Sequence, residues 1–172
     1  MVHMPLPDAE VLFGSLLEKI RPAVGPETAL VGIHTGGVWL ARRLHEALGL
    51  AVPVGEIDVA FYRDDFKQRG LKPGVRPSEL PFDVNGRNVI LVDDVLYTGR
   101  TVRAALNVLF DYGRPGSVSL AALVDRGGRQ LPICAQYLGG LLMLEAGAPM
   151  LVLGRGENGR LALAYAEDAV AT

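Results

Sequence analysis

The apolar run Val89-Ile90-Leu91-Val92 ends on two adjacent carboxylates, Asp93 and Asp94. An uninterrupted aliphatic run rich in β-branched residues belongs to a strand covered on both faces, as in a parallel sheet. The open edge of such a sheet binds ligands beyond the carboxyl ends of its strands. This one strand therefore constrains the whole chain: it needs helices on either side and a functional edge at Asp93-Asp94.

The flanking pattern agrees. Asp8 to Ile20 has a helical apolar stripe (Val11, Leu12, Leu16, Ile20), with Asp8 placed to cap it. Ala29 to Ile33 is predicted as a buried strand, and His34-Thr35-Gly36-Gly37 as a turn. Val38 to Leu48 is predicted as a helix stopped by Gly49. Val52 to Tyr62 has strand character. Asp93 to Gly99 is expected to be a loop and Arg100 to Tyr112 a helix, closed by Gly113-Arg114-Pro115-Gly116. Ser117 to Val124 is the next buried strand, and the tail holds short strand-like pieces at Gln136 to Leu138, Met150 to Leu153 and Leu161 to Tyr165. The alternation of strand and helix predicts an α/β fold with a mainly parallel central sheet flanked by helices. The chain has 172 residues, the size of one domain.

Arg63 to Pro81 breaks the pattern. It carries Asp64, Asp65, Lys67, Arg69, Lys72 and Glu79 among prolines and glycines, with few apolar anchors. A connection of about twenty such residues is either a functional lid or a solvated insertion.

Composition excludes several classes. Hydrophobic residues are 49% and charged residues 21%, as in globular proteins. The net charge of −2 provides no general field for nucleic acid, so RNA binding would need a local basic patch. The single cysteine, Cys134, excludes an internal disulfide and a thiolate metal cluster within the chain. It points to a reducing, cytoplasmic setting, with Cys134 itself expected as a small apolar filler. The longest uncharged stretch, Leu131 to Leu144, is too short to span a bilayer. Met1 to Glu10 has neither the basic residues nor the apolar run of a signal peptide.

The chemistry is concentrated after the strand. Thr98, Gly99, Arg100 and Thr101 stand where a helix begins, and a helix N-terminus with a close-approaching glycine and two hydroxyls suits an anion. Phosphate on that loop and vicinal hydroxyls on Asp93 and Asp94 together describe a ribose 5-phosphate. The alternative is that the acids form a turn and Thr98 caps a helix.

Val89 to Thr101 resembles the phosphoribosyl-pyrophosphate signature of the type I phosphoribosyltransferases. Asp58 to Asp65, Arg103-Ala104-Ala105-Leu106, Asp111 to Pro115 and Leu123 to Pro132 resemble one subfamily, the pyrimidine-operon regulators that are also uracil phosphoribosyltransferases. The similarity runs from about Ala29 to Gly139.

The resemblance implies a type I phosphoribosyltransferase fold with a small hood, formed by parts of 125–172, and a flexible flap over 62–81. It implies formation of UMP and pyrophosphate from uracil and phosphoribosyl pyrophosphate. Mg²⁺ would be held mainly by the substrate, with Asp93 and Asp94 available to it. Those two acids would hold the ribose hydroxyls and favour the cationic sugar, and Thr98 to Thr101 would cradle the 5-phosphate. His34-Thr35-Gly36-Gly37 would be the pyrophosphate loop, Arg63 would reach the pyrophosphate, and Val124-Asp125-Arg126 would begin the base hood. A homodimer or homotetramer and a pyrimidine-operon leader RNA are the implied partners. Arg21, Arg42, Arg43, His45 and Arg114 are candidates for an RNA-binding patch.

Several residues have a second reading. His34 reads as a turn histidine or a catalytic one, and Trp39 and Tyr97 as packing or mouth-of-site aromatics. Arg126 and Arg129 read as a solvated surface pair or as site residues. The chain also departs from the family. Gly36 stands where an arginine is common, which removes a cation that Arg63, Lys67 or His34 would have to replace. The N-terminal helix lacks the regulators' basic and threonine residues, and the tail after Gly140 does not match theirs. Three functions stay open: a uracil phosphoribosyltransferase, a UMP-sensing RNA-binding regulator with little transferase activity, and a phosphoribosyltransferase for another base.

Overall fold

The computed structural model describes residues 4–60 and 77–166. Five parallel strands form the central sheet in the order β2-β1-β3-β4-β5. They are β1 (Ala29–Ile33), β2 (Gly55–Ile57), β3 (Asn88–Leu96), β4 (Ser117–Asp125) and β5 (Tyr137–Leu141). Val89 to Val92 of β3 is buried, between β1 and β4. Side chains alternate across it. Ile90 and Val92 enter one core with α1 (Ala9–Ile20) and α2 (Gly36–Leu48). Val89 and Leu91 enter the other with α3 (Arg100–Asp111). The period-2 geometry of a strand thus produces a helix–sheet–helix sandwich.

Helix ends follow local chemistry. Asp8 caps α1, its carboxylate accepting from the Glu10 N–H at 2.8 Å. Gly49 ends α2 in the left-handed conformation at φ 62°, which only glycine adopts without steric cost.

A second, two-stranded antiparallel sheet pairs β6 (Leu151–Arg155) with β7 (Leu161–Tyr165). Leu151, Leu153, Leu161 and Tyr165 bury it against the α1–α2 side. Glu10 of α1 ties it down: its carboxylate accepts from the Leu161 N–H at 2.7 Å and from both terminal nitrogens of Arg43 at 3.0 and 2.9 Å. The Arg43 hydrogen bonds and the Leu161 N–H hold the Glu10 carboxyl down at about 2. Arg155 adds a cation–π contact, 4.5 Å over the Trp39 ring of α2, so Trp39 is a packing residue.

Some expectations need correction. β2 is confined to Gly55–Ile57 within the described part of the expected Val52–Tyr62 strand. β3 continues to Leu96, so Asp93 and Asp94 stand within a strand and not in a loop. Pairing with β4 keeps the backbone extended there. α2 starts at Gly36, two residues before the expected start at Val38. β5 reaches Leu141, beyond the expected end at Leu138, and β6 runs to Arg155. Cys134 is exposed, not a filler, because it precedes the edge strand β5. Most of the proposed flap, including Arg63 and Lys67, lies outside the described residues. Its far end returns as Glu79, which exchanges two backbone hydrogen bonds with Glu56 of β2 at 2.7 and 2.8 Å.

Candidate functional site

A cleft of about 540 Å³ opens at the carboxyl ends of β1 and β3. Its floor is Asp93 and Asp94, its flank His34 to Gly36, and its far end Tyr97 to Val102. Met150 to Leu153 form the remaining wall. The sheet edge therefore brings the acids and the Thr98–Thr101 loop together with the 34–37 turn, which is about sixty residues earlier in the chain.

The two acids differ in setting. Asp93 is buried, its Oδ1 accepting from the Asp94 N–H at 2.9 Å. Asp94 is half-buried, its Oδ1 accepting from the Val95 N–H at 2.9 Å. Its other oxygen lies against the α-carbon of Gly36: a Cβ placed there would sit 2.3 Å from Asp94 Oδ2. Gly37 is closer still to the backbone, since its Cβ would lie 2.3 Å from the Val92 carbonyl. The two glycines let the start of α2 press onto β3.

The loop after β3 is held by the segment that follows β4. The Arg126 N–H donates to Leu96 O at 3.0 Å. The Gln130 and Leu131 N–H groups both donate to Thr98 O, at 2.9 and 3.2 Å. Arg129 donates to Tyr97 O at 2.6 Å and to the Asp125 carboxylate, whose other oxygen accepts from the Gly127 N–H. Arg100 Nε donates to Gln130 Oε1 at 2.9 Å. Gly99 caps α3 at φ 91°, and the Thr98 hydroxyl accepts from the Arg100 N–H at 3.2 Å. The α3 N-terminus, from Thr98 to Val102, thus lines the cleft end.

His34 lies at the end of β1. Its main-chain N–H donates to Ile57 O at 2.9 Å, and its Nε2 is 3.1 Å from Glu56 Oε2. Glu56 also pairs with Arg42. Glu56 had no role in the sequence reading; a lone acid inside a short strand is the signal that marks it. Thr35 is exposed at the N-terminus of α2, with no cap hydrogen bond from its side chain.

Val124, Asp125 and Arg126 are 0%, 9% and 1% exposed and do not line the cleft. Arg126 is therefore no solvated surface residue. It sits 4.1 Å over the Tyr97 ring, and Gly128 packs on the ring edge. The wall in their place is β6. The strand character of Met150 to Leu153 is legible in the sequence, but no motif marks it as a wall of the cleft.

The expected RNA-contacting cations are largely engaged. Arg42 pairs with Glu56, Arg43 with Glu10, Arg21 with Glu18, and His45 Nε2 lies 2.9 Å from Val52 O. Among the described residues no group of three or more His, Cys, Asp or Glu could hold a metal by itself. No helix among them is long and apolar enough to cross a membrane.

The sequence model of the phosphoribosyl transferase domain matches residues 8–144. The chain belongs to that family. Within it the chain groups with the bifunctional protein PyrR. One from Pseudomonas putida strain GB-1 is 52% identical over 147 residues, 83% of this chain and 86% of that one. Another from Pseudomonas putida is 59% identical over the same shares. One from Pseudomonas aeruginosa strain LESB58 is 59% identical over 82% of this chain and 85% of that one.

Solved structures share the phosphoribosyltransferase fold. A purine phosphoribosyltransferase from Pyrococcus horikoshii superposes with a TM-score of 0.59 at 24% identity, over 81% of this chain and 86% of that one. A hypoxanthine-guanine phosphoribosyltransferase from Bacillus anthracis gives 0.64 at 20% identity, over 88% of each chain. The family match stops before β6, so one wall of this phosphoribosyltransferase cleft lies beyond the matched region.

Proposed function

We propose that the protein is a uracil phosphoribosyltransferase, forming UMP and pyrophosphate from uracil and phosphoribosyl pyrophosphate. The observation that carries this is one cleft with Asp93-Asp94 on its floor, the Thr98–Thr101 loop at its end and the β6 wall beside them. Its dimensions suit a nucleoside monophosphate.

In the reaction the bond from the ribose C1 to pyrophosphate breaks and a bond from C1 to a ring nitrogen of uracil forms. That nitrogen gives up its proton. Positive charge builds on the sugar and negative charge on the leaving group. Asp93 and Asp94 hold the ribose hydroxyls and stabilise the sugar charge, a preorganised electrostatic effect. Thr98, Gly99, Arg100 and Thr101 take the 5-phosphate at the α3 N-terminus. His34, Thr35, Gly36 and Gly37 border the leaving pyrophosphate. Gly36 brings no cation, and among the described residues His34 borders the same end of the cleft with its Nε2 turned to Glu56. Arg63, another candidate cation, lies outside the described residues.

Two hard carboxylate oxygens at the floor, with no third His, Cys, Asp or Glu grouped with them among the described residues, suit Mg²⁺ carried in by the substrate. Bound there, Mg²⁺ supplies charge neutralisation for the leaving pyrophosphate. The β6–β7 hairpin serves as the hood, in one domain with the sheet. The lone cysteine fits a cytoplasmic enzyme, and the resemblance supports a homo-oligomer.

The test is product formation from phosphoribosyl pyrophosphate and Mg²⁺ with uracil, run beside hypoxanthine, guanine, adenine and orotate. UMP formation with uracil alone supports the reading, and turnover with a purine alone overturns it. The relatives are named bifunctional, which favours a second role as a UMP-responsive binder of pyrimidine-leader RNA. That role predicts an affinity falling steeply with salt. No binding to a leader hairpin at low salt removes it.

A further inference from the structure

Arg126 is wholly buried, yet no carboxylate among the described residues pairs with it. Its Nη1 donates to Pro149 O at 2.9 Å and its Nη2 to Ala148 O at 3.3 Å. Its guanidinium face lies over Tyr97. Its Nε is buried without a hydrogen-bond partner among the described residues. A buried cation held this way is desolvated at a cost that an apolar side chain of the same volume would avoid.

What a guanidinium does there, and a leucine cannot, is fix two carbonyls and a ring at set distances from one another. The carbonyls belong to the residues just before Met150 and β6, one wall of the cleft. The ring belongs to Tyr97 in the loop at the cleft end. The main chain of Arg126 adds two ties, donating to Leu96 O and accepting from the Leu144 N–H at 3.1 Å. One residue that does not line the cleft therefore joins both sides of it.

We infer that Arg126 is a positioning residue that sets the spacing between the β6 wall and the Tyr97 loop, and through it the affinity for the base. This rests on reading β6 as the wall that faces the base. Losing the Arg126 side chain should reach the base subsite first, because the phosphate loop keeps its own ties through Arg129, Gln130 and Leu131.

Calorimetric dissociation constants for UMP and for ribose 5-phosphate separate the two subsites, since only UMP carries the base. The wild-type protein should bind UMP more tightly. Equal affinity there overturns the reading of the base site itself, before any variant is compared. Given a wild-type preference, Arg126→Met should shrink it about tenfold while ribose 5-phosphate binding changes less than threefold. Arg126→Lys, which keeps the charge and part of the donor set, should fall between. Pro149→Gly, which slackens the held turn with Arg126 intact, should shrink the preference too. It decides the matter if Arg126→Met does not fold. An unchanged preference in the folded variants, or equal weakening of both ligands, overturns the inference.

Discussion

The Asp94 carboxylate rests on the α-carbon of Gly36, so close that a single added carbon would lie 2.3 Å from Oδ2. Gly36, where the family resemblance leads us to expect an arginine, is thus part of the acidic site. It gives space to a carboxylate where the family resemblance implied a cation.

Gly36→Ala should push the Asp94 carboxylate aside, because the nearest obstructing atoms, Oδ2 and Cγ, belong to a side chain that can turn. Gly37→Ala meets the Val92 carbonyl, which is strand backbone and cannot yield. The first variant should lose turnover with little loss of stability. The second should lose about 2–3 kcal/mol of stability from overpacking. Denaturant melts beside UMP-formation assays check the contrast, and equal stability in the two variants would refute it.

Asp93→Asn keeps an oxygen to accept from the Asp94 N–H but removes the negative charge under the ribose. Turnover should fall roughly 100-fold or more, with the melting temperature nearly unchanged. Steady-state kinetics at saturating Mg²⁺ check it. Wild-type turnover would remove Asp93 from the mechanism.

Arg129→Ala takes away the donor to Tyr97 O and the partner of Asp125. The loop between β3 and α3 should loosen. Ribose 5-phosphate affinity should fall about tenfold, the scale of one charge-assisted hydrogen bond. Calorimetry reads this directly, and an unchanged constant would show that the loop is held without Arg129.

Glu10 gives the fold a pH dependence. Its carboxyl is held at about 2 in the folded protein against an ordinary 4.5. A depressed carboxyl stabilises the fold above its unfolded value, and that contribution is lost as pH falls from about 4.5 through 2. The side chain is 23% exposed, so screening trims the effect to roughly 1–2 kcal/mol at neutral pH. Glu10→Gln should lower the melting temperature by roughly 2–8 °C at pH 7. Near pH 2 the variant and the wild type should converge. Thermal melts across pH check this, and a gap that persists at pH 2 would mean that the carboxylate charge is not what ties β7 to α1.

The apolar run Val89 to Val92 was sufficient to place a buried parallel strand and an acidic edge. Hydrophobic burial on both faces leaves such a run no other stable environment. Gly49 and Asp8 mark helix ends for equally local reasons, and the Thr98–Thr101 motif marks its loop. Tertiary structure decided the rest. Asp93 and Asp94 stay in strand geometry because β4 pairs with β3 as far as Leu96. Arg126 moves from a nominal surface charge to the interior because Tyr97 and two distant carbonyls converge on it. The β6 wall becomes part of the cleft only when the hairpin packs on α1 and α2. Contacts between residues far apart in the chain leave no periodicity or spacing to read. Strand burial and caps could be derived from the amino acids in order, while the shape of the cleft needed the fold.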